Sequence, residues 1–173
     1  MTIQQKIIEQ LNAEMSRRNI DVVTDFILKN PEHIPFLIDL AFSDDKNLSL
    51  RAAWTLDKVS EKNINLLNNY SSLIIQKLPE IKRTGTLREI TKVLILQNIP
   101  QKYESLILDF CISVIESVKQ PVAVKANCMT LIFKLLPKYP ELKNEITEII
   151  ESQIPHNSAG FKSRYKLLKK KYF

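Results

Sequence analysis

Apolar residues recur along the chain at three- and four-residue intervals, in segment after segment, and none of the segments shows the two-residue alternation of a half-buried strand. Each segment ends at recognisable punctuation. The first predicted helix runs from Thr2 to about Met15, with Thr2 and Gln5 spaced as a capping box in which the threonine oxygen accepts an orphan amide. The second runs from about Ile20 to Leu28. Asn30-Pro31-Glu32 then predicts a third start, with asparagine as N-cap, proline at the first helical position and an acid in the first turn. Pro35 still falls within that first turn or so, where a missing amide costs little. Further helices are expected to open at Asn47, near Asn68, near Thr84, near Lys102, at Pro121, at Pro140 and at Ser158, which makes about ten. Short helices joined by short turns read as antiparallel neighbours, and the predicted class is all-α.

A fixed internal period sharpens that class into an architecture. Steps of 37 residues from Leu50 reach Leu87, Val124 and Phe161, all apolar. The next position reads Arg51, Arg88, Lys125 and Lys162, all basic, and three residues before the apolar column stand the helix-opening residues Asn47, Thr84, Pro121 and Ser158. On the preceding helices the same step links Ile38, Ile75, Ile112 and Ile149. Columns of capping, apolar and basic character keep phase together without a gap. Each unit is then one helix pair that cannot cover its own apolar face, so that its neighbours must supply the rest of the core.

The segment Asp45-Lys46-Asn47-Leu48-Ser49-Leu50-Arg51-Ala52-Ala53-Trp54-Thr55-Leu56 resembles the second helix of a HEAT repeat, in which an aspartate precedes an apolar-arginine pair followed by alanines and a leucine. Val124-Lys125-Ala126 and Leu87-Arg88 are similar to it more weakly, with Lys82, Lys119 and His156 where the aspartate would stand. The resemblance covers about residues 31 to 173 and lies between the HEAT and armadillo-like types. It implies a right-handed α-α superhelix, in which Asp45 and Arg51 would form a ladder between neighbouring repeats. Residues 1–30 are then an N-terminal cap or degenerate unit, 31–157 the helical repeats and 158–173 a basic capping helix, all within one α-solenoid domain spanning 1–173. Tetratricopeptide and ankyrin signatures are absent.

Composition changes this picture little. Two glycines, Gly85 and Gly160, are too few for sandwiches, barrels or phosphate-cradling loops, which favours helices again. The start of the chain is too polar for a secretory leader, and no apolar run is long enough to span a bilayer. Cys111 and Cys128 stand in apolar helical runs with no zinc or disulfide spacing, so both read as small buried hydrophobes of a cytoplasmic protein. The formal charge of +6 is local. Residues 158–173 carry Lys162, Arg164, Lys166, Lys169, Lys170 and Lys171 and no acid; taking those six from the 25 basic residues leaves 19, equal to the 19 acidic ones.

Candidate chemistry is sparse. His33 and His156 lie far apart with no flanking ligand set, and no P-loop, GxGxxG, HExxH or GxSxG motif occurs. The expectation is a protein that is not an enzyme, with no cofactor, no metal and no evident small-molecule substrate. Trp54 is the only tryptophan, on a helix that lines the concave side in HEAT proteins. With Asp57, Arg51, Lys58, Arg88 and Lys92 it resembles, by residue type, the aromatic, acidic and basic constellation of HEAT-like solenoids that excise alkylated bases from DNA. The plainer alternative places Leu50, Trp54, Asp57 and Glu61 on one packing stripe between repeats. Phe161, Tyr165, Leu168 and Tyr172 make an apolar stripe on the last helix, whose other side is basic. The candidate interaction surface is therefore Arg51, Trp54, Lys58, Arg88, Lys92, Lys125, Lys162, Arg164 and Lys166. A protein or peptide partner on the concave face is the leading expectation, and a nucleic acid the alternative.

Overall fold

The computed structural model describes residues 1–173 and contains ten α-helices with no strand. They fall into two compact units, Met1–Ile99 and Pro100–Phe173.

The first unit holds α1 (Ile3–Ala13), α2 (Arg17–Lys29), α3 (Ile34–Ala41), α4 (Lys46–Lys62), α5 (Ser71–Lys77) and α6 (Thr84–Leu96). The Thr2 capping box forms as expected, with the Gln5 amide donating to Thr2 Oγ1 at 3.1 Å and the Thr2 amide to Gln5 Oε1 at 2.7 Å. Asn30 departs from the expected role. Its side chain makes no cap bond to the following turn and instead donates to the Phe26 carbonyl at 2.9 Å, closing the end of α2. α3 then starts after a 3-10 turn at Pro31–His33.

The alternate helices of this unit form a layer in which α2 packs on α4 and α4 on α6, while α1 lies against α2 and α3 against α4. Their mutual register is the 37-residue step itself. Ser49 and Thr86 hydroxyls meet at 3.3 Å, Gln97 donates to Ser60 at 2.9 Å, and Lys62 donates to Asp25 at 2.8 Å, and the members of each pair are 37 residues apart. Equivalent positions of successive repeats are thus direct neighbours. Between them the core closes on Leu11, Ile20, Ile27, Ile38, Leu56 and Ile75, none of which reaches solvent.

The second unit holds α7 (Glu104–Glu116), α8 (Val122–Leu135), α9 (Lys143–Gln153) and α10 (Ala159–Tyr172). Here α7 packs on α8, α8 on α10 and α7 on α9. The starts expected at Pro121 and Ser158 are found one residue earlier than the first helical residue, and Pro140 opens a 3-10 turn that leads into α9. Phe133 of α8 is fully buried and meets the rings of Tyr165 and Tyr172, each at 6.1 Å, and of Phe173 at 5.2 Å. That cluster docks α10 by its expected stripe, since Phe161, Tyr165 and Leu168 are buried. Glu104 ties the start of α7 to the turn after α8: its carboxylate, 1% exposed, accepts from Lys138 and, at 2.6 Å, from Tyr139. Burial works to raise the Glu104 pKa, but the bonds from Lys138 and Tyr139 outweigh it and leave the carboxyl below its ordinary range. Cys111 and Cys128 are both buried, and burial, then the neighbouring Cys128, pushes the Cys111 thiol up, away from nucleophilic chemistry.

Candidate interaction surface

The face shared by α4 and α6 is built from the cap upward. Asp45, exposed, is the N-cap of α4, and its Oδ1 accepts the amides of Asn47 and Leu48, both at 2.9 Å. It therefore serves its own helix and makes no ladder with Arg51, contrary to what the resemblance implied. Arg51 instead donates through Nη1 to the Leu11 carbonyl at 2.6 Å, and that carbonyl belongs to the last turn of α1, where helix geometry leaves acceptors without partners. Asn19 closes the same helix end, donating to the Gln10 carbonyl at 2.7 Å and the Glu14 carbonyl at 2.9 Å.

One turn beyond Arg51, the half-buried Trp54 enters a groove of about 400 Å³ lined by Met15, Leu50, Trp54, Arg88, Glu89 and Lys92. Beneath its polar side runs a chain of charge pairs. Arg88 donates through Nε to Glu89 at 2.9 Å, and Lys92 bridges Glu89, at 2.7 Å, and Asp57. Lys58 continues the chain, 3.3 Å from Asp57 and 2.6 Å from Glu61. Three cations thus face three carboxylates and the network is neutral. Asp57 is its deepest member at 1% exposure, and burial raises its pKa against the pull of Lys92 and Lys58. Lys92 reaches further towards solvent; burial works against its charge, but its bonds to Asp57 and Glu89 prevail and its pKa is raised.

The basic column of the sequence does not make a common surface. Arg51 is committed to a carbonyl, Arg88 lies beside Glu89, Lys125 is buried with its ammonium pKa lowered by burial, and Lys162 is exposed on α10. Lys58, also expected at the surface, is buried as well. The structure brings together Trp54, Arg88 and Lys92 of the candidate residues, while Lys162, Arg164 and Lys166 stand exposed on α10. Met15, Glu89 and Leu50 complete the groove. Of these, Glu89 had a readable signal, since an acid three residues before Lys92 on a helix places the two within pairing distance. Met15 had none, because it is the packing of α1 and α2 on α4 that carries the turn between α1 and α2 to that place.

Elsewhere, His33 stacks on Phe26 with ring centroids 5.9 Å apart, and His156 is exposed. No group of three or more His, Cys, Asp or Glu side chains is placed to hold a metal ion. No helix is long and apolar enough to cross a membrane. A second groove, of about 380 Å³, lies between α1 and α2 and is almost wholly apolar, with Ile3, Ile7, Val22, Val23 and Phe26 in its wall.

The family model for the HEAT repeat domain matches residues 7–171, and the chain belongs to that family. No curated protein and no solved structure matches it. Helical-repeat modules of this kind commonly mediate protein interactions and are generally not catalysts.

Proposed function

We propose that this chain is a non-catalytic interaction module that holds a segment of a protein partner in the Trp54 groove between α4 and α6. The observation that carries the reading is the neutrality of the groove's charges. A cation attracts a phosphate backbone by releasing condensed counterions, and a cation already matched by a carboxylate has little to release. Arg88, Lys92 and Lys58 are each within 3.3 Å of a carboxylate oxygen, so the surface favours an uncharged or mixed segment over a polyanion. The same pairing argues against base excision, because Asp57 is buried beneath Lys92 and Lys58.

Trp54 and Arg88 are the residue types that dominate binding energy at interfaces, and Met15 is an adaptable neighbour for them. In this reading the occupant seats an apolar side chain against Trp54 and polar groups over Arg88. The whole chain acts as one domain, with 1–30 as a cap or degenerate unit, and works in the cytoplasm, where two buried thiols suit a reducing medium.

The test is affinity capture from the native lysate by the tagged wild type and by Trp54→Ala and Arg88→Ala, with and without nuclease. Expected is a set of proteins that survives nuclease and is lost by both variants while their helical circular dichroism is kept. Retention of the same proteins by both variants, or loss of every bound protein on nuclease treatment, overturns the reading.

A further inference from the structure

The charge balance of the Trp54 groove has no counterpart on α10. Of its six cations, Lys169 alone is paired with an acid, with Glu151 at 3.1 Å, an acid that also accepts from Tyr165 at 2.7 Å. Lys162, Arg164, Lys166, Lys170 and Lys171 are exposed and make no ion pair. A solvated helix face needs charge, but it has no need of one sign only, and ordinary surfaces intersperse the two.

The placement of these cations around the helix is informative. At about 100° per residue, Lys170 points opposite the docked stripe, Lys166 and Lys162 lie about 40° and 80° to one side, and Lys171 and Arg164 about 100° and 120° to the other. Positive charge thus flanks both edges of an open arc. Leu167 is the one large apolar side chain in it, so the arc is not the face on which another helix pair would pack. Nor does it offer the apolar area by which an interfacial helix enters a bilayer, since Phe161, Tyr165 and Leu168 are buried. The arc also lacks an exposed aromatic platform on which single-stranded bases would stack.

A convex rod with cations on both flanks matches a groove walled on both sides by phosphates. The major groove of B-form DNA is about 12 Å wide and admits an α-helix of about 10–12 Å diameter, whereas the major groove of A-form RNA is too narrow. We propose that the exposed arc of α10 is a second binding surface, which seats against the major-groove phosphates of double-stranded DNA through Lys162, Arg164, Lys166, Lys170 and Lys171. The serine and leucine at the centre of the arc, Ser163 and Leu167, offer little base readout, so binding is sequence-independent. The chain would then hold its protein partner at DNA.

The test is fluorescence anisotropy of the full chain against a labelled DNA duplex over a salt series. If three to five phosphates are neutralised, the logarithm of the association constant falls with a slope of about −2.7 to −4.5 against the logarithm of salt concentration. Between 50 and 200 mM salt that weakens binding about 40- to 500-fold. The triple variant Lys162→Gln, Lys166→Gln, Lys170→Gln flattens the slope by about 2.7 and keeps the wild-type circular dichroism, since all three side chains are exposed. An RNA duplex of the same length binds more weakly. Absence of DNA binding at 50 mM salt, an unchanged slope in the triple variant, or equal or tighter binding to the RNA duplex overturns the proposal. None of these outcomes bears on the Trp54 groove, which is tested by its own variants.

Discussion

Replacing Phe133 by alanine is expected to undo the docking of α10 before it unfolds anything else. The ring is fully buried and touches Tyr165, Tyr172 and Phe173 at centroid distances of 5.2–6.1 Å. Loss of the burial of a phenylalanine side chain alone costs about 1.5–3 kcal/mol. The cavity left behind and the loss of three aromatic contacts bring the total to the about 3–5 kcal/mol typical of Phe→Ala in a packed core. Phe133→Leu keeps most of the volume but none of the ring contacts, and should cost about 1–2 kcal/mol. The loss is expected to centre on α10 because the three rings that Phe133 meets are on α10 and the residue that follows it. Urea denaturation followed by circular dichroism measures the free energy, and hydrogen exchange resolved by peptide locates it. The expected result is a large loss of protection over residues 159–172 in Phe133→Ala and a smaller one in Phe133→Leu. A cost below about 1 kcal/mol for the alanine variant, or unchanged protection of α10, would refute the packing argument.

Arg51→Ala removes the bond to the Leu11 carbonyl and should cost about 1–2 kcal/mol in urea denaturation, with Arg51→Lys recovering part of it; equal stability of all three proteins contradicts the assigned role. The Glu104 carboxyl has a pKa below its ordinary value of 4.5, so the stability it contributes is present above that value and is lost as the pH falls through the lower, folded pKa. Glu104→Gln should therefore cost about 1–2 kcal/mol at neutral pH, towards the low end because Lys138 is more than half exposed, and the difference from wild type should vanish in acid. A gap between the two proteins that persists or widens on acidification would show that the charge is not what holds Lys138 and Tyr139.

The parts of the fold that could be read from the chain are those set by neighbours a few residues away or by a repeated step. The capping box at Thr2, the helix starts at Pro121 and Ser158, and the apolar stripe of α10 are local matters, and all stand where the pattern placed them. The 37-residue step was legible because equivalent positions meet, as the pairs Ser49 with Thr86 and Ser60 with Gln97 show. What the pattern could not supply was the partner of each polar side chain. Arg51, Arg88, Lys125 and Lys162 share one column yet meet a carbonyl, a carboxylate, a buried apolar setting and open solvent. Periodicity says which side of a helix a residue takes, whereas the atoms that Arg51, Lys92 and Lys138 meet belong to residues 40, 35 and 34 positions away. For the same reason Asp45 satisfied its own helix end, where two amides were waiting, and left Arg51 to α1. The groove at Trp54 was legible in part: its tryptophan, arginine and lysine were, the spacing of Glu89 to Lys92 signalled the carboxylate that neutralises them, and the methionine that closes it carried no signal.

Trp54 is the only tryptophan in the chain, which makes its emission a direct report on the groove. The decisive measurement is that emission, together with its quenching by acrylamide, as the captured protein partner is titrated to saturation. Occupation of the groove predicts a shift of the emission to shorter wavelength and a marked loss of quenching, both absent from an Arg88→Ala variant that no longer binds. If the partner saturates the chain while the emission and quenching of Trp54 stay as they are in the free protein, the partner binds elsewhere and the central claim fails.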